Sequence, residues 1–228
     1  MTVDRMLVVA PHPDDEVLGV GGTIAKFAAA GGEVTILIVA AHMPPLYTEE
    51  THKKTVSEAN RAHALVGVKE TVFLDKPAVF VRDEKPHVLN KEIQDIVARV
   101  RPQVLLVPFA DRHVDHKAVF ESVMVPARPV GVGRTIELVA AYETLSETHW
   151  NAASIEPTFT PNWFVEITDQ IDQKIGMMRL YESQVFDFPH PRSLEALRSL
   201  ALFRGSQGGV GYAEAFQVIR MSGYCSVL

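Results

Sequence analysis

The chain has 228 residues, 47% of them hydrophobic, and a formal charge of −6 from 22 Lys and Arg against 28 Asp and Glu. That is apolar material for one sizeable core, and the length suits a single α/β domain over residues 1–228. No basic run marks a nucleic-acid footprint, the longest apolar run, Val34 to Ala41, is far too short to span a membrane, and the lone Cys225 makes neither an internal disulfide nor a thiolate zinc site.

Residues 1–10 hold only a brief apolar stretch, too short for the core of a signal peptide, so a soluble, cytoplasmic chain is expected. Apolar runs rich in Val, Ile and Leu alternate with helical patterns, which predicts βαβ units around a buried parallel sheet. Met6–Ala10 reads as the first strand. Asp15–Ala30 follows as a helix with Val17, Leu18, Ile24, Phe27 and Ala28 along one stripe, ended by Gly31-Gly32. Val34–Ala41 is the second strand, Thr51–Leu65 the second helix, and Thr71–Leu74 the third strand.

Asn90–Val100 carries Ile93, Ile96, Val97 and Val100 on one helical face, and Pro102 marks its end. Gln103–Val107 is the next strand; Phe109–Asp115 is a loop leading into a short helix around His116–Val125. The Pro- and Gly-rich stretch Val125 to Gly133 is a loop and not a domain boundary. Glu137–Tyr142 and Trp163–Ile167 read as later strands, and Asp169–Tyr181 and Leu194–Phe203 as helices. The expected architecture is α/β and Rossmann-like: a mostly parallel sheet, helices on both faces, and an irregular C-terminal third.

Two signatures meet in residues 7–22. Gly19, Gly21 and Gly22 look like part of a dinucleotide fingerprint, whose glycines sit in the strand-to-helix turn so that the backbone approaches a pyrophosphate. Here they fall well past the strand end, inside the helix, and the turn itself holds Asp14, Asp15 and Glu16, which repel phosphate. The second strand also ends in Val39-Ala40-Ala41-His42, with no acid for a ribose hydroxyl. Helix packing is the better account of the glycines.

The other signature is His12 with the adjacent acids. Pro11 and Pro13 stiffen the backbone around His12, and neighbouring aspartates on a loop point different ways, so one can bind a cation while the other faces a reacting water. A cation also explains why such charges tolerate one another. The alternative is that Asp14 or Asp15 caps the next helix. A second cluster, Asp111-Arg112-His113-Val114-Asp115-His116, follows another strand end. One of its imidazoles can complete a His, Asp, His set with His12 and Asp15, which suits zinc with a fourth position for water. The other is then free for acid or electrostatic work, and Asp115 can fix a ring's tautomer. His42, His52, His63, His87, His149 and His190 show no such pattern and read as structural or solvated.

The sequence resembles the PIG-L or LmbE-like zinc-dependent N-deacetylases. Pro11-His12-Pro13-Asp14-Asp15-Glu16 with Gly21-Gly22 looks like that family's first motif, and His113-Val114-Asp115-His116 like its second. Tyr181-Glu182-Ser183-Gln184 and Gly211-Tyr212-Ala213-Glu214-Ala215-Phe216 resemble later segments. The resemblance implies His12, Asp15 and His116 as metal ligands, Asp14 as general base, protonated His113 as oxyanion stabiliser or proton donor, Asp115 as the acid that orients His113, and Glu16 as support. It implies one Zn2+ per chain, a small N-acetylated substrate of amino-sugar type, and self-association in many relatives, although no interface signature stands in the sequence. Two positions depart from the pattern. Val114 replaces a usual proline, and Thr55, after Lys53 and Lys54, replaces an arginine that binds substrate in many sugar-deacetylating members.

Overall fold

The computed structural model describes residues 3–222, so Cys225 lies outside the described residues. Strands β1 (Arg5–Ala10), β2 (Glu33–Ala41), β3 (Glu70–Pro77), β4 (Val104–Pro108), β5 (Leu138–Tyr142), β6 (Trp163–Glu166) and β7 (Ala213–Met221) form one sheet in the order β3-β2-β1-β4-β5-β7-β6. Strands β1 to β5 pair in parallel, and β7 runs antiparallel to both β5 and β6. The sheet is α/β and mostly parallel, as the alternation of apolar runs and helical stripes requires.

Helices α1 (Asp15–Ala29), α2 (Glu49–Leu65), α5 (Ile171–Arg179) and α6 (Leu194–Gly208) cover one face; α3 (Pro86–Val100) and α4 (Val114–Met124) cover the other. The strands divide their side chains by the two-residue period. Met6, Val8 and Ala10 join the first core with Ile24 and Phe27, whereas Leu7 and Val9 join the second with Ile93 and Val97. Burial on both faces explains why these strands read as continuous apolar runs. Among the described residues no helix is long and apolar enough to cross a membrane.

Several bounds differ from the sequence expectation (α2 starts at Glu49, β3 spans Glu70–Pro77 and α6 runs to Gly208), and three differences have a local physical cause. Strand β7 is legible in the sequence only as a motif-bearing segment, because the buried Glu214 interrupts its apolar pattern. Helix α3 begins at Pro86 rather than Asn90, with proline in the first turn where no intrahelical donor is needed. Helix α4 begins at Val114 rather than near His116, because the His113 side chain caps it by accepting from the Asp115 N–H.

Helix α1 is broken at Val20 (φ −136°, ψ 18°). A broken helix leaves backbone donors and acceptors to be satisfied in the core. Glu214 accepts from the N–H groups of Gly22 (2.8 Å) and Thr23 (2.7 Å), and the Lys174 ammonium donates to the Leu18 carbonyl (2.9 Å) and to Glu214. The buried ion pair thus plugs the break from both sides. The glycines belong to the same device: a Cβ at Gly19 would overlap the Tyr142 ring and lie 2.9 Å from the Glu143 carbonyl, and one at Gly22 would lie 2.7 Å from Ile167. Packing, not phosphate binding, accounts for them.

Replacing Lys174 by Met leaves Glu214 charged and unpaired in the core, with an expected loss of about 3–5 kcal/mol in urea denaturation. Adding Glu214→Gln should recover part of that loss, since a neutral amide still accepts from the broken helix.

Candidate active site

Strands β1 and β4 are neighbours at the centre of the sheet, and the chain leaves them in opposite directions, towards β2 and towards β5. The crevice at the carboxyl ends of such strands is where open α/β sheets place their sites. Residues 11–15 leave β1 and residues 109–116 leave β4, so both motifs reach the same crevice.

The turn after β1 places Asp14 at φ 108°, ψ −27°, on the left-handed side that a residue with a Cβ adopts at a cost of about 1–3 kcal/mol. Its side chain makes no capping hydrogen bond to α1, so the capping account fails for Asp14. Glu16 holds the turn from behind: one of its oxygens accepts from the Asp14 N–H (3.3 Å), and the other meets His63 Nε2 (3.0 Å) and the Tyr181 hydroxyl. His63, read from sequence as structural, is structural in this specific way.

Asp15 is buried, and its Oδ2 gathers three contacts. It accepts from the His12 N–H (2.9 Å), and lies 3.2 Å from His12 Nδ1 and 3.3 Å from His116 Nε2. Ligand atoms bonded at about 2.0–2.1 Å to a tetrahedral ion stand roughly 3.3–3.4 Å apart. The two contacts that His12 and His116 make with Asp15 Oδ2 are close to that separation. The remaining ring nitrogens are held by carboxylates: His12 Nε2 lies 2.9 Å from Asp115 Oδ2, and His116 Nδ1 lies 3.0 Å from Asp111 Oδ2. Outer carboxylates of this kind orient metal-binding imidazoles and raise their basicity. His113 stands against both rings, and one nitrogen from each of the three imidazoles fits within 4.8 Å of the others.

This geometry corrects the expected partner of Asp115. Its carboxylate contacts His12 and the Val79 N–H, while His113 is engaged only through the Asp115 backbone, whose N–H donates to His113 Nδ1. The helix start at Val114 causes the change, because it turns the Asp115 side chain away from the capping ring. Asp111, given no role in the sequence reading, is the residue that orients His116. It also accepts from the Thr148 hydroxyl and the His113 N–H, leaving it well anchored.

The charges follow from burial and these pairings. Burial alone would lower the His116 pKa, but Asp15 and Asp111 carry it up to about 10. Burial would raise Asp15, yet the His116 and His12 rings hold it well below the ordinary carboxylate value. Burial, with His12 and His116 nearby, pushes His113 down to about 4. His113 is therefore neutral at pH 7, and since its Nδ1 accepts a hydrogen bond, the proton sits on Nε2.

Asp14 is fully buried, and neither of its oxygens accepts a hydrogen bond. The nearest cation is Arg192, with Nη1 3.2 Å from Oδ2, a charge contact without hydrogen-bond alignment. Burial raises the Asp14 pKa to about 7, with Arg192 opposing and Asp15 and Glu16 adding to the rise. Arg192 is itself braced from behind: it donates to Gln184 (3.0 Å), Gln184 to Ser183, and Ser183 to Glu58 of α2. Arg192 escaped the sequence reading because nothing local marks a loop arginine. Thr55 bonds only to its own helix backbone, at Thr51 and His52, and Lys53 and Lys54 are exposed.

A cavity of about 350 Å³ opens over the three imidazoles and is lined also by His42, Tyr47, Phe186 and Arg192. The segments around Tyr47 and Phe186 thus shape the pocket, and His42 is a correction: it faces the cavity rather than playing a remote structural part.

A profile of the PIG-L family, GlcNAc-PI de-N-acetylase, matches residues 7–126. The diacetylchitobiose deacetylase of Thermococcus kodakarensis is 30% identical, over 95% of this chain and 84% of its own. A 1D-myo-inositol 2-acetamido-2-deoxy-alpha-D-glucopyranoside deacetylase of Nakamurella multipartita is 27% identical, over 73% and 68%. A conserved protein of Thermus thermophilus superposes with a TM-score of 0.77 at 27% identity, over 98% of this chain and 97% of its own.

Removing an outer carboxylate tests the imidazole supports. Asp111→Asn and Asp115→Asn should each weaken zinc binding about 10–100-fold in chelator competition. A pH scan tests Asp14. Its folded pKa lies above the ordinary 3.8, so its contribution to stability is present below that value and lost as pH rises through about 7. The melting temperature of metal-free protein should fall between pH 4 and 7, and Asp14→Asn should flatten that fall.

Proposed function

Since the chain belongs to the PIG-L family of de-N-acetylases, we propose that it hydrolyses the N-acetyl amide of an amino-sugar substrate at the crevice between β1 and β4. The observation that carries the proposal is the pairing of a candidate ligand set with an available base: the His12 and His116 rings meeting at Asp15 Oδ2, beside an Asp14 carboxylate that accepts no hydrogen bond and has only the Arg192 charge against it. One relative is named for diacetylchitobiose and the other for a 2-acetamido-2-deoxy-alpha-D-glucopyranoside, which supports that class.

His12, Asp15 and His116 would hold one zinc ion, which when bound lowers the pKa of a coordinated water towards about 7 and polarises the acetyl carbonyl. The chain's own groups do the rest. Asp14, buried and with a pKa about 7, takes the proton of the attacking water as its oxygen bonds to the acetyl carbon. The carbonyl π pair moves onto oxygen, and His113 Nε2–H donates to that oxyanion. On collapse the C–N bond breaks with its electron pair on nitrogen, and Asp14 returns the proton to the amine. Acetic acid and a free amine result, and the acid gives its proton to solvent or to the amine to leave acetate. Asp14 is the better donor to the amine, because a neutral His113 would have to become an imidazolate. Glu16 keeps the Asp14 backbone in place, and Arg192 sets which way its carboxylate faces.

Acetate release from N-acetylglucosamine or N,N'-diacetylchitobiose should be lost on chelation and restored by zinc. Asp14→Asn should lower kcat by about 10²–10⁴-fold while zinc content stays unchanged. Failure of zinc-loaded protein to release amine from any acetylated sugar would sink the proposal.

A further inference from the structure

His42 directly follows β2, one strand over from His12, and no step above uses it. Its ring lies parallel to the His12 ring, with centroids 6.3 Å apart, and the Tyr47 ring packs on it at 4.8 Å. The residue is only 9% exposed, yet it lines the same cavity as the three imidazoles. Its Nδ1 is enclosed without any hydrogen-bond partner, and Nε2 has no partner among the described residues either. A buried polar ring with neither nitrogen engaged is costly and needs an explanation.

The tautomer follows from that enclosure. A buried N–H without an acceptor is rarer and more costly than a bare lone pair. The proton therefore sits on Nε2, the atom open to the cavity, and Nδ1 is the bare acceptor. A neutral donor beside a reacting centre suits an uncharged oxygen. It lies one ring away from His12 and lines the same cavity, on the side of the site away from the Asp15 carboxylate's second imidazole partner, so a substrate group next to the reacting amide is what it can meet.

We infer that His42 is a specificity-determining residue whose Nε2–H donates to a hydroxyl vicinal to the acetamido group, so that hydroxylated acetamido sugars are preferred over plain N-acetyl amines. The inference rests on the deacetylase reading of the same site.

The test compares zinc-loaded wild type, His42→Phe and His42→Gln on N-acetylglucosamine and on its 1-deoxy and 3-deoxy analogues, by kcat, KM and calorimetric binding. Phe keeps the ring and the stack but removes the donor; Gln keeps a donor. His42→Phe should raise KM for N-acetylglucosamine about tenfold, the worth of one neutral hydrogen bond, with kcat and zinc content little changed. One deoxy analogue should show the same loss with wild type and no further loss with His42→Phe, and His42→Gln should recover part of the affinity. An equal loss on all three sugars, or no change in KM, overturns the inference and makes His42 a packing residue. Absence of turnover by wild type would count against the deacetylase reading alone. The calorimetric comparison then still decides His42, and failure of wild type to bind any of the three sugars overturns it.

Discussion

One carboxylate oxygen, Oδ2 of Asp15, ties the two halves of the site together. It is reached by His12 from its own turn and by His116 from a helix about a hundred residues later. Burying that charge is tolerable only because cationic or metal-binding nitrogens converge on it. Everything nearby serves the convergence. Asp115 and Asp111 fix the two rings from the outside, the cap at His113 starts α4 where His116 can reach inward, and the parallel pairing of β1 with β4 brings the two loops level.

The same acids stand at the start of α1, which packs closely against the sheet. Asp14, Asp15 and Glu16 are all buried at its start, and Gly19 lets the helix lie close under the carboxyl end of β5. The helix is broken at Val20, and the break is closed by Lys174 and Glu214 from the C-terminal third. The late part of the chain therefore supports the first motif directly. The same is true of Arg192 and Tyr181, which contact Asp14 and Glu16.

Doubled aspartates in one turn end up in opposite roles because of backbone geometry. Asp15, in helical conformation, points to the two histidines; Asp14, in the left-handed region, points away from the helix and accepts nothing. An acid buried without hydrogen bonds has a raised pKa, because burial disfavours its charged form. His113 is shifted the opposite way, down to about 4, because burial and the neighbouring His12 and His116 rings disfavour its charged form.

Much of this was legible in the sequence, because the signals were local. Apolar runs fixed the parallel strands, Gly31 ended α1, and two dense motifs at strand ends named His12, Asp14, Asp15, His113, Asp115 and His116 as candidates. What the sequence could not assign were the pairings. That Asp115 holds His12 and not His113, that Asp111 holds His116, and that His42 and Arg192 face the cavity all depend on contacts between segments distant in sequence or on where a helix begins. Residue type and spacing determine which chemistry is available; only the folded arrangement decides which nitrogen faces which oxygen, because a hydrogen bond requires a distance and a direction that no linear spacing carries.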